Sequence, residues 1–172
     1  MEVQEAIEAR RSVRGYEDTP VPEDALNGIL EAGRMAPSAV NRQPWHFIVV
    51  RDRGTREILG KNRFARHLRE APVVIVGCGD RERSPDWYRV DTTIALHQMV
   101  LMATAEGLAT CWTGDFDREA VEKVLEVPGH MEVVAMLSIG YPKKKMDLSA
   151  KFLRARKRRE MEEIVSLERY GR

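Results

Sequence analysis

The feature that most constrains the fold is a long apolar helix in the middle of the chain. The spacing of apolar residues predicts this helix over residues 90–106. Apolar side chains occupy almost every side of it: Ile94, Ala95, Leu96, Met99, Val100, Leu101, Met102 and Ala103. Such a helix must be buried nearly all round, but a chain of 172 residues has the length of one ordinary domain, which rarely hides a whole helix. We therefore expect a subunit interface to cover its remaining face.

Strands and helices alternate along the rest of the chain. The β-branched run at 72–77 predicts a strand buried on both faces of a sheet. Proline and acids at 22–24 begin a helix that Pro37 ends. Further strands are predicted over 46–50, 108–112 and 133–139, and further helices over 2–11, 54–61, 64–70 and 117–126. This order predicts a layered α/β or α+β sandwich in one domain, residues 1–172, with a basic C-terminal tail over 143–172.

Charge and composition argue against several classes of partner. Lysine and arginine total 28 against 27 acids, a net charge of +1, which predicts neither nucleic acid nor an acidic membrane as a partner. The N-terminus begins with acids, where a signal peptide needs a basic start and an apolar run. The most apolar window, 92–105, is shorter than the roughly 20 residues that cross a bilayer. We expect a cytoplasmic protein with no membrane partner, in which Cys78 and Cys111 are buried free thiols.

The four histidines predict no metal site. His46, His67, His97 and His130 lack the spacing of metal ligands. His97 lies on the long apolar helix and is interpreted as a core residue with its polar atoms satisfied. Neither a dinucleotide-binding GxGxxG, a Walker loop nor a GxSxG motif occurs in the sequence.

A basic motif follows the first predicted helix. If Arg10-Arg11-Ser12-Val13-Arg14 is extended, the side chains of Arg10, Ser12 and Arg14 project to one side. Two guanidiniums flanking a hydroxyl suit a phosphate, since the forked donors of arginine match its oxygens. The alternative is that Arg10 and Arg11 only neutralise the C-terminus of the helix.

A second motif joins a helix to a strand, Ala36-Pro37-Ser38-Ala39-Val40-Asn41-Arg42-Gln43-Pro44-Trp45. Its two outer prolines, Pro37 and Pro44, hold an irregular segment, and its small residues let a flat ligand approach the backbone. Ser38, Asn41 and Gln43 supply donors and acceptors for a polar ring edge. The alternative is an ordinary polar loop.

A third motif is a strand that runs into a turn, Ala109-Thr110-Cys111-Trp112-Thr113-Gly114-Asp115-Phe116. A glycine at a strand end exposes backbone N–H groups that a ligand atom can approach closely. The alternative is that Gly114 serves only the turn.

Together these motifs resemble the landmarks of the nitroreductase family. The segments that carry the resemblance are, in order, RRSVR, APSAVNRQPWHFIVV, GLATCWTGDFD and LSIGYP. The resemblance covers residues 2 to about 142 and, more loosely, the tail to 165. It implies an α+β fold, a three-layer sandwich with a central mixed sheet flanked by helices, in an intertwined homodimer. The apolar helix, from near Asp91, corresponds to the family's dimer-interface helix.

The resemblance also implies a cofactor, FMN, bound tightly but noncovalently at sites that both subunits form. The residues implied to bind it are Arg10, Arg11, Ser12 and Arg14 around the phosphate and the adjoining flavin edge; Pro37, Ser38 and Ala39 against the flavin from the other subunit; Asn41 and Gln43 as polar contacts; and Thr113 and Gly114 near N5. No catalytic side chain is implied, because the flavin is the reactive centre and a backbone N–H at Gly114 is the main influence of the protein on it.

The basic tail adds one more candidate. Met161-Glu162-Glu163-Ile164-Val165 resembles the segment that follows a phosphate-binding arginine or lysine in the family. This points to Arg158, with Arg156 and Arg159 as competitors. A basic run is otherwise typical of a solvated face or of a nucleic-acid patch.

The activity that the resemblance implies is transfer of hydride from NAD(P)H, a transient electron donor, through FMN to a nitroaromatic, a quinone or another flat small-molecule acceptor, by a ping-pong mechanism. Specialised relatives, reductive dehalogenases and flavin-cleaving enzymes, carry more chain before the long helix as a lid. Here only 79–90 is available, although Trp87 and Tyr88 could line an open pocket. An FMN-binding storage or regulatory protein with little turnover is the alternative from another class.

Overall fold

The computed structural model describes residues 1–143 and 158–171. Within these ranges the helices are α1 (Val3–Ala9), α2 (Glu23–Arg34), α3 (Arg53–Leu59), α4 (His67–Glu70), α5 (Tyr88–Ala105) and α6 (Arg118–Val124). The strands are β1 (Trp45–Val50), β2 (Val73–Asp80), β3 (Ala109–Thr113) and β4 (Met131–Gly140). Single 3-10 turns occupy Ala39–Asn41, Arg63–Ala65 and Met161–Glu163. Every helix and strand predicted from the sequence is present, with boundaries shifted by a few residues.

The four strands form one sheet in the order β1-β2-β4-β3, and every pair of neighbours is antiparallel. A bulge between Gly77 and Cys78 shifts the register of β2 against β4. The parallel pairing within the described residues is a single bridge from Ser12 to Thr110, outside the named strands. The mixed character expected of the sheet therefore comes from this bridge, and β1 and β3 lie at opposite edges.

Helices cover both faces of the sheet, which gives the predicted three layers. Alternate residues of β2 point to opposite faces. Val73 and Ile75 join a core with α2 and α5, whereas Val74 and Val76 join a second core with α3, α4 and α6. All of β2 except Asp80 is buried, as its β-branched sequence predicts for a central strand. The two cores hold the sheet in place, including its edge strands β1 and β3, which adjoin the loop and glycine motifs.

The inner face of α5 packs closely on the sheet and on α2 because two glycines allow it. A Cβ at Gly77 would lie 2.6 Å from Cδ1 of Leu96. A Cβ at Gly33 would overlap the side chain of Met99. Leu96 and Met99 are fully buried, as expected for core residues. No helix within 1–143 and 158–171 is long and apolar enough to cross a membrane.

The outer face of α5 stays open in this chain. Val90 and Ile94 are 46% and 37% exposed, and on neighbouring α1 the apolar Val3 and Ile7 are 70% and 55% exposed. His97 lies on this exposed face, so the prediction that it is a core residue is wrong for the single chain. The near-complete burial predicted for α5 requires a cover that one chain does not provide.

A charged cluster holds the first turn of α5 against β4. Glu132 accepts two hydrogen bonds from Arg89, at 2.8 and 2.9 Å, and one from the Tyr88 hydroxyl at 3.2 Å. The hydrogen bonds from Arg89 hold the pKa of the Glu132 carboxyl below its ordinary value. Tyr88 is buried in this cluster and does not line an open pocket, contrary to the expectation, whereas Trp87 is half exposed. The cluster fixes the helix end that carries Asp91.

Candidate functional site

The segment 10–14 lies along the outer edge of β3. Ser12 bridges Thr110 in the parallel direction, and the Val13 N–H donates to the Thr110 carbonyl at 2.9 Å. Because the two segments run the same way, Arg14 is carried toward the end of β3, where Thr113 and Gly114 lie. Beyond Arg14, the buried Tyr16 hydroxyl contacts the Val13 carbonyl and the Ser138 hydroxyl, each at 2.6 Å. The tertiary structure therefore brings the first and third motifs together.

The arginines of this segment divide into two roles. The Arg11 guanidinium donates to the carbonyls of Glu8 and Arg10 at the C-terminal end of α1, which is the helix-end role weighed as the alternative. Arg10 and Arg14 are partly buried. Neither forms a side-chain hydrogen bond or an ion pair with any residue of 1–143 or 158–171. Among the described residues, no acidic side chain is within ion-pair distance of these two charges, which flank the exposed Ser12, and such unpaired guanidiniums suit an anion-binding site.

The end of β3 presents backbone to open space. Thr113 is buried, and Gly114 follows as the first residue outside the strand. A Cβ built on Gly114 would meet no atom within 4 Å. A flat ligand could therefore approach the Gly114 backbone closely, as the sequence motif predicts.

His67 is a residue of this region that sequence reasoning missed. It is buried at the start of α4, and its Nε2 lies 2.9 Å from the Thr113 hydroxyl oxygen. Burial, assisted by the positive charge of Arg14, lowers the pKa of His67 from 6.5 to about 4. The ring is therefore neutral at neutral pH. Its sequence neighbours Arg66, Arg69 and Glu70 are charged and suggest an exposed segment, so no local signal indicates the contact.

The loop between α2 and β1 has an unusual backbone. Val40, Asn41 and Gln43 have φ of +52°, +53° and +48°. A β-branched residue rarely adopts this left-handed conformation, and such strain is concentrated at functional sites. The Gln43 N–H donates to the Ser38 hydroxyl at 2.9 Å, and the Gln43 amide donates to the Asn41 side chain at 3.2 Å. Ser38, Asn41 and Gln43 thus serve first to hold the loop in shape.

Asp91 is a second residue that sequence reasoning did not assign to the site. It is 2% exposed, on the first turn of α5, and both carboxylate oxygens accept from the Ala39 N–H, at 3.2 and 3.3 Å. A buried carboxylate that accepts a backbone N–H fixes both partners, because either one left unpaired would be costly. Asp91 therefore anchors the strained loop to α5.

We expect Asp91→Ala to loosen this loop. The Ala39 N–H loses its acceptor, and the free energy of unfolding should fall by about 1–3 kcal/mol. Denaturant unfolding measures the stability, and hydrogen exchange measures the protection of the Ala39 amide. Asp91→Asn, which retains one acceptor oxygen, is the matched control and should lie near the original protein. Unchanged protection at Ala39 in the alanine variant would show that the carboxylate is not its anchor.

One chain does not bring all the predicted site residues together. Pro37, Ser38 and Ala39 precede β1 at one edge of the sheet, whereas Thr113 ends β3 at the opposite edge. Three inter-strand spacings separate the two edges, about 14 Å. The candidate residues therefore form an arginine–glycine half site beside β3 and a loop half site before β1.

The C-terminal candidates are only partly within the described residues. Arg156 and the tail up to residue 157 lie outside them. Arg158 is described and exposed, and no hydrogen bond or ion pair within the described ranges joins it to Arg10 or Arg14. Arg159 pairs with Glu163 at 3.3 Å. The role of Arg158 remains a prediction.

The comparisons with known proteins agree on one family. The sequence profile of the Nitroreductase family matches residues 7–62 and 57–141. The chain is 38% identical over 149 residues, 83% of this chain and 78% of the relative, to a putative NADH dehydrogenase/NAD(P)H nitroreductase of Methanothermobacter thermautotrophicus. A crystal structure of a putative NADH dehydrogenase/NAD(P)H nitroreductase from Parabacteroides distasonis superposes with a TM-score of 0.87 at 31% identity, covering 98% of each chain. An FMN-dependent nitroreductase from Clostridium difficile R20291 superposes with a TM-score of 0.76 at 28% identity, covering 90% of this chain and 98% of that one.

Proposed function

This chain belongs to the nitroreductase family, and on that premise we propose that it is an FMN-dependent oxidoreductase that takes hydride from NAD(P)H and passes electrons to a flat acceptor such as a nitroaromatic or a quinone. The observation that carries the proposal is that the segment bearing Arg10 and Arg14, which have no ion-pair partner among the described residues, runs beside β3 toward the open Gly114. A cationic cradle next to an open backbone edge matches a planar ring that carries a phosphate.

The half site beside β3 fits the charged part of FMN. Arg10 and Arg14 would hold the phosphate and the adjoining flavin edge, with the exposed Ser12 hydroxyl between them. Arg11 contributes less than its sequence position suggests, because its guanidinium is committed to the end of α1. Thr113 and Gly114 would border the flavin near N5, where a side chain at 114 is absent and the space is open.

The loop half site fits the face of the ring. Pro37, Ser38 and Ala39 present small side chains, and Asp91 fixes the position of their backbone. The polar atoms of Asn41 and Gln43 lie on the exposed side of the same loop. This loop leads into the edge strand β1, whereas Gly114 of the same chain follows the opposite edge strand β3.

A homodimer would account for two features of the single chain: the separation of its two half sites and the exposed apolar residues on α1 and α5. A second copy would place its loop half site against the arginine–glycine half site of the first, which accounts for the separation of about 14 Å within one chain. The exposed apolar residues of α1 and α5 are a surface for it to cover. We therefore propose that two copies together form each FMN site, as expected from the family resemblance.

The residues of the chain supply binding, orientation and a backbone donor. When bound, FMN supplies the hydride chemistry at its N5. The Gly114 N–H is the proposed donor toward that atom, and the positive charge of Arg14 lies close enough to affect His67 on the same side. His67 is neutral at neutral pH and hydrogen-bonded to Thr113, so it does not carry the second ring proton of an imidazolium acid. No acid or base side chain is required.

The specialised alternatives lack a structural element that they would need. Only residues 81–87 connect β2 to α5, and Ser84 among them is buried. This segment is too short to form a separate lid over a pocket. The general oxidoreductase is therefore preferred to a dehalogenase or a flavin-cleaving enzyme. A storage protein would bind FMN but would not be reduced by NAD(P)H.

The test is an absorption spectrum of the purified protein, followed by anaerobic addition of NADH and then NADPH. We expect a flavin spectrum with two maxima that bleaches with one or both donors. A protein that stays colourless after incubation with FMN would contradict the cofactor, and bound FMN that no donor reduces would favour storage. With an acceptor such as a quinone, parallel double-reciprocal plots are expected of a ping-pong mechanism, and intersecting plots would exclude it.

A further inference from the structure

The turn that follows β3 is held at two points by residues 62–67. This segment contains none of the residues assigned to the site. His67 Nε2 lies 2.9 Å from the Thr113 hydroxyl, and the Asn62 amide donates to the Asp115 carbonyl at 3.4 Å. The Asn62 side-chain oxygen also accepts from the Phe64 N–H at 3.1 Å, which orders the segment itself. Gly114, the residue proposed to face the flavin, lies between the two held residues.

The His67–Thr113 hydrogen bond is made by a neutral imidazole ring. At neutral pH the ring is neutral and carries one N–H, because burial lowers the pKa of His67 to about 4. The Thr113 hydroxyl can both donate and accept, so it can pair with the Nε2 of the neutral ring in either tautomer.

We propose that His67 is a positioning residue that, through the Thr113 hydroxyl, holds the Gly114 backbone N–H in the orientation that reaction at the flavin requires. This inference rests on the proposed FMN-dependent function. It assigns a role to a buried histidine that touches neither the phosphate cradle nor the loop half site.

The backbone at this point needs such a restraint. β3 is an edge strand, and its pairing with β4 ends at Thr113 opposite Met136. Gly114 then lacks both a ladder partner and a side chain, and glycine has the widest conformational freedom of any residue. A donor aimed at a reacting atom is effective only when its orientation is fixed before reaction. The hydrogen bonds at Thr113 and Asp115 limit Gly114 from both sides.

Two observables separate this role from a merely structural one. The first is the backbone NMR order parameter of the Gly114 amide in the purified protein, compared with the order parameters of amides in the central strand β2, which report the rigid core. The second is the rate of anaerobic FMN reduction by NADH, compared with the dissociation constant for FMN. Loss of a positioning contact lowers the Gly114 order parameter and the reduction rate, and leaves the β2 order parameters and FMN affinity nearly constant.

Thr113→Val removes the hydroxyl at nearly constant shape, and Thr113→Ser keeps the hydroxyl as its matched control. We expect Thr113→Val to lower the Gly114 order parameter from about 0.85, typical of rigid backbone, to below about 0.6, and to slow flavin reduction by about tenfold, which is the loss of one hydrogen bond. The FMN dissociation constant should change by less than about threefold, because the arginine cradle is intact. Thr113→Ser should resemble the original protein. His67→Gln, whose side-chain amide can either donate to or accept from the Thr113 hydroxyl, should retain most of the reduction rate.

The coupling between the two residues completes the test. His67→Leu and Thr113→Val each remove the same hydrogen bond, so the double variant should be no slower than the slower single one. Additive effects, or Thr113→Val behaving like the original protein in both observables, would overturn the proposal even if His67→Leu fails to fold. If the original protein binds no FMN while the Gly114 order parameter still falls in Thr113→Val, the positioning of the turn is upheld and the FMN function is what fails.

Discussion

Gly114→Val is expected to slow anaerobic reduction of bound FMN by NADH by about 100-fold or more, the range seen when a backbone or side-chain donor at a reacting atom is lost or displaced. A Cβ at this position meets no protein atom within 4 Å, so the valine should be accommodated without loss of fold. It would instead occupy the space that the flavin and the nicotinamide need. Stopped-flow absorbance of the flavin measures the rate.

The matched control is Gly114→Ala, whose single methyl group obstructs less of the open space. We expect its reduction rate to lie between those of the original protein and the valine variant. The FMN dissociation constant should change far less than the rate in both variants, because the phosphate contacts are elsewhere. If valine weakens FMN binding without slowing the reduction of bound FMN, Gly114 is only part of the pocket wall and the proposed approach at N5 is wrong.

Arg14→Ala is expected to raise the FMN dissociation constant by about 10- to 100-fold, since a charge-assisted hydrogen bond contributes about 1.5–3 kcal/mol. The guanidinium has no acidic partner among the described residues, so its removal breaks no ion pair there and should leave the fold intact. Titration of the FMN-free protein, followed by flavin fluorescence, measures the affinity. Thermal unfolding of the same preparation tests the fold.

Two variants sharpen the Arg14 experiment. Arg14→Lys retains the charge but loses the planar fork, so an intermediate affinity is expected. Arg11→Ala removes a neighbouring arginine whose guanidinium lies on the end of α1, and we expect a smaller effect on FMN affinity than from Arg14→Ala. Equal losses from Arg11 and Arg14 would indicate a general effect of positive charge rather than a specific contact. Unchanged affinity in Arg14→Ala would remove that residue from the site.

Much of the fold could be predicted from local pattern. The β-branched run of β2 and the apolar residues of α2 and α5 show which nearby residues must be buried together. The structure confirms these three elements. The same local reasoning was wrong at His97, whose apolar neighbours suggest burial although its own side of α5 is exposed. Periodicity indicates that a helix has a buried face but not which polar residue falls outside it.

The candidate site was only partly predictable. Each of the arginine, loop and glycine motifs is a short unbroken segment, so its chemistry is visible in the sequence. The family resemblance then assigned all three motifs to one binding site. The choice between the two roles of Arg11 was open until its contacts at the end of α1 were known. Asp91 and His67 carry no local signal, because each acts on a residue far away in sequence, at Ala39 and at Thr113.

The sequence by itself determined the helices and strands, the family, and the kinds of side chain available to bind a phosphate and a flat ring. These follow from residue type and short-range spacing. Only the tertiary structure decided which motifs meet: the pairing of Ser12 with Thr110 carries Arg14 toward Gly114, and the order β1-β2-β4-β3 puts β1, which follows the 37–43 loop, at the edge opposite β3. Strand order depends on long-range packing of both faces of the sheet, and no short segment encodes it, so the division into two half sites appears only when the sheet is assembled.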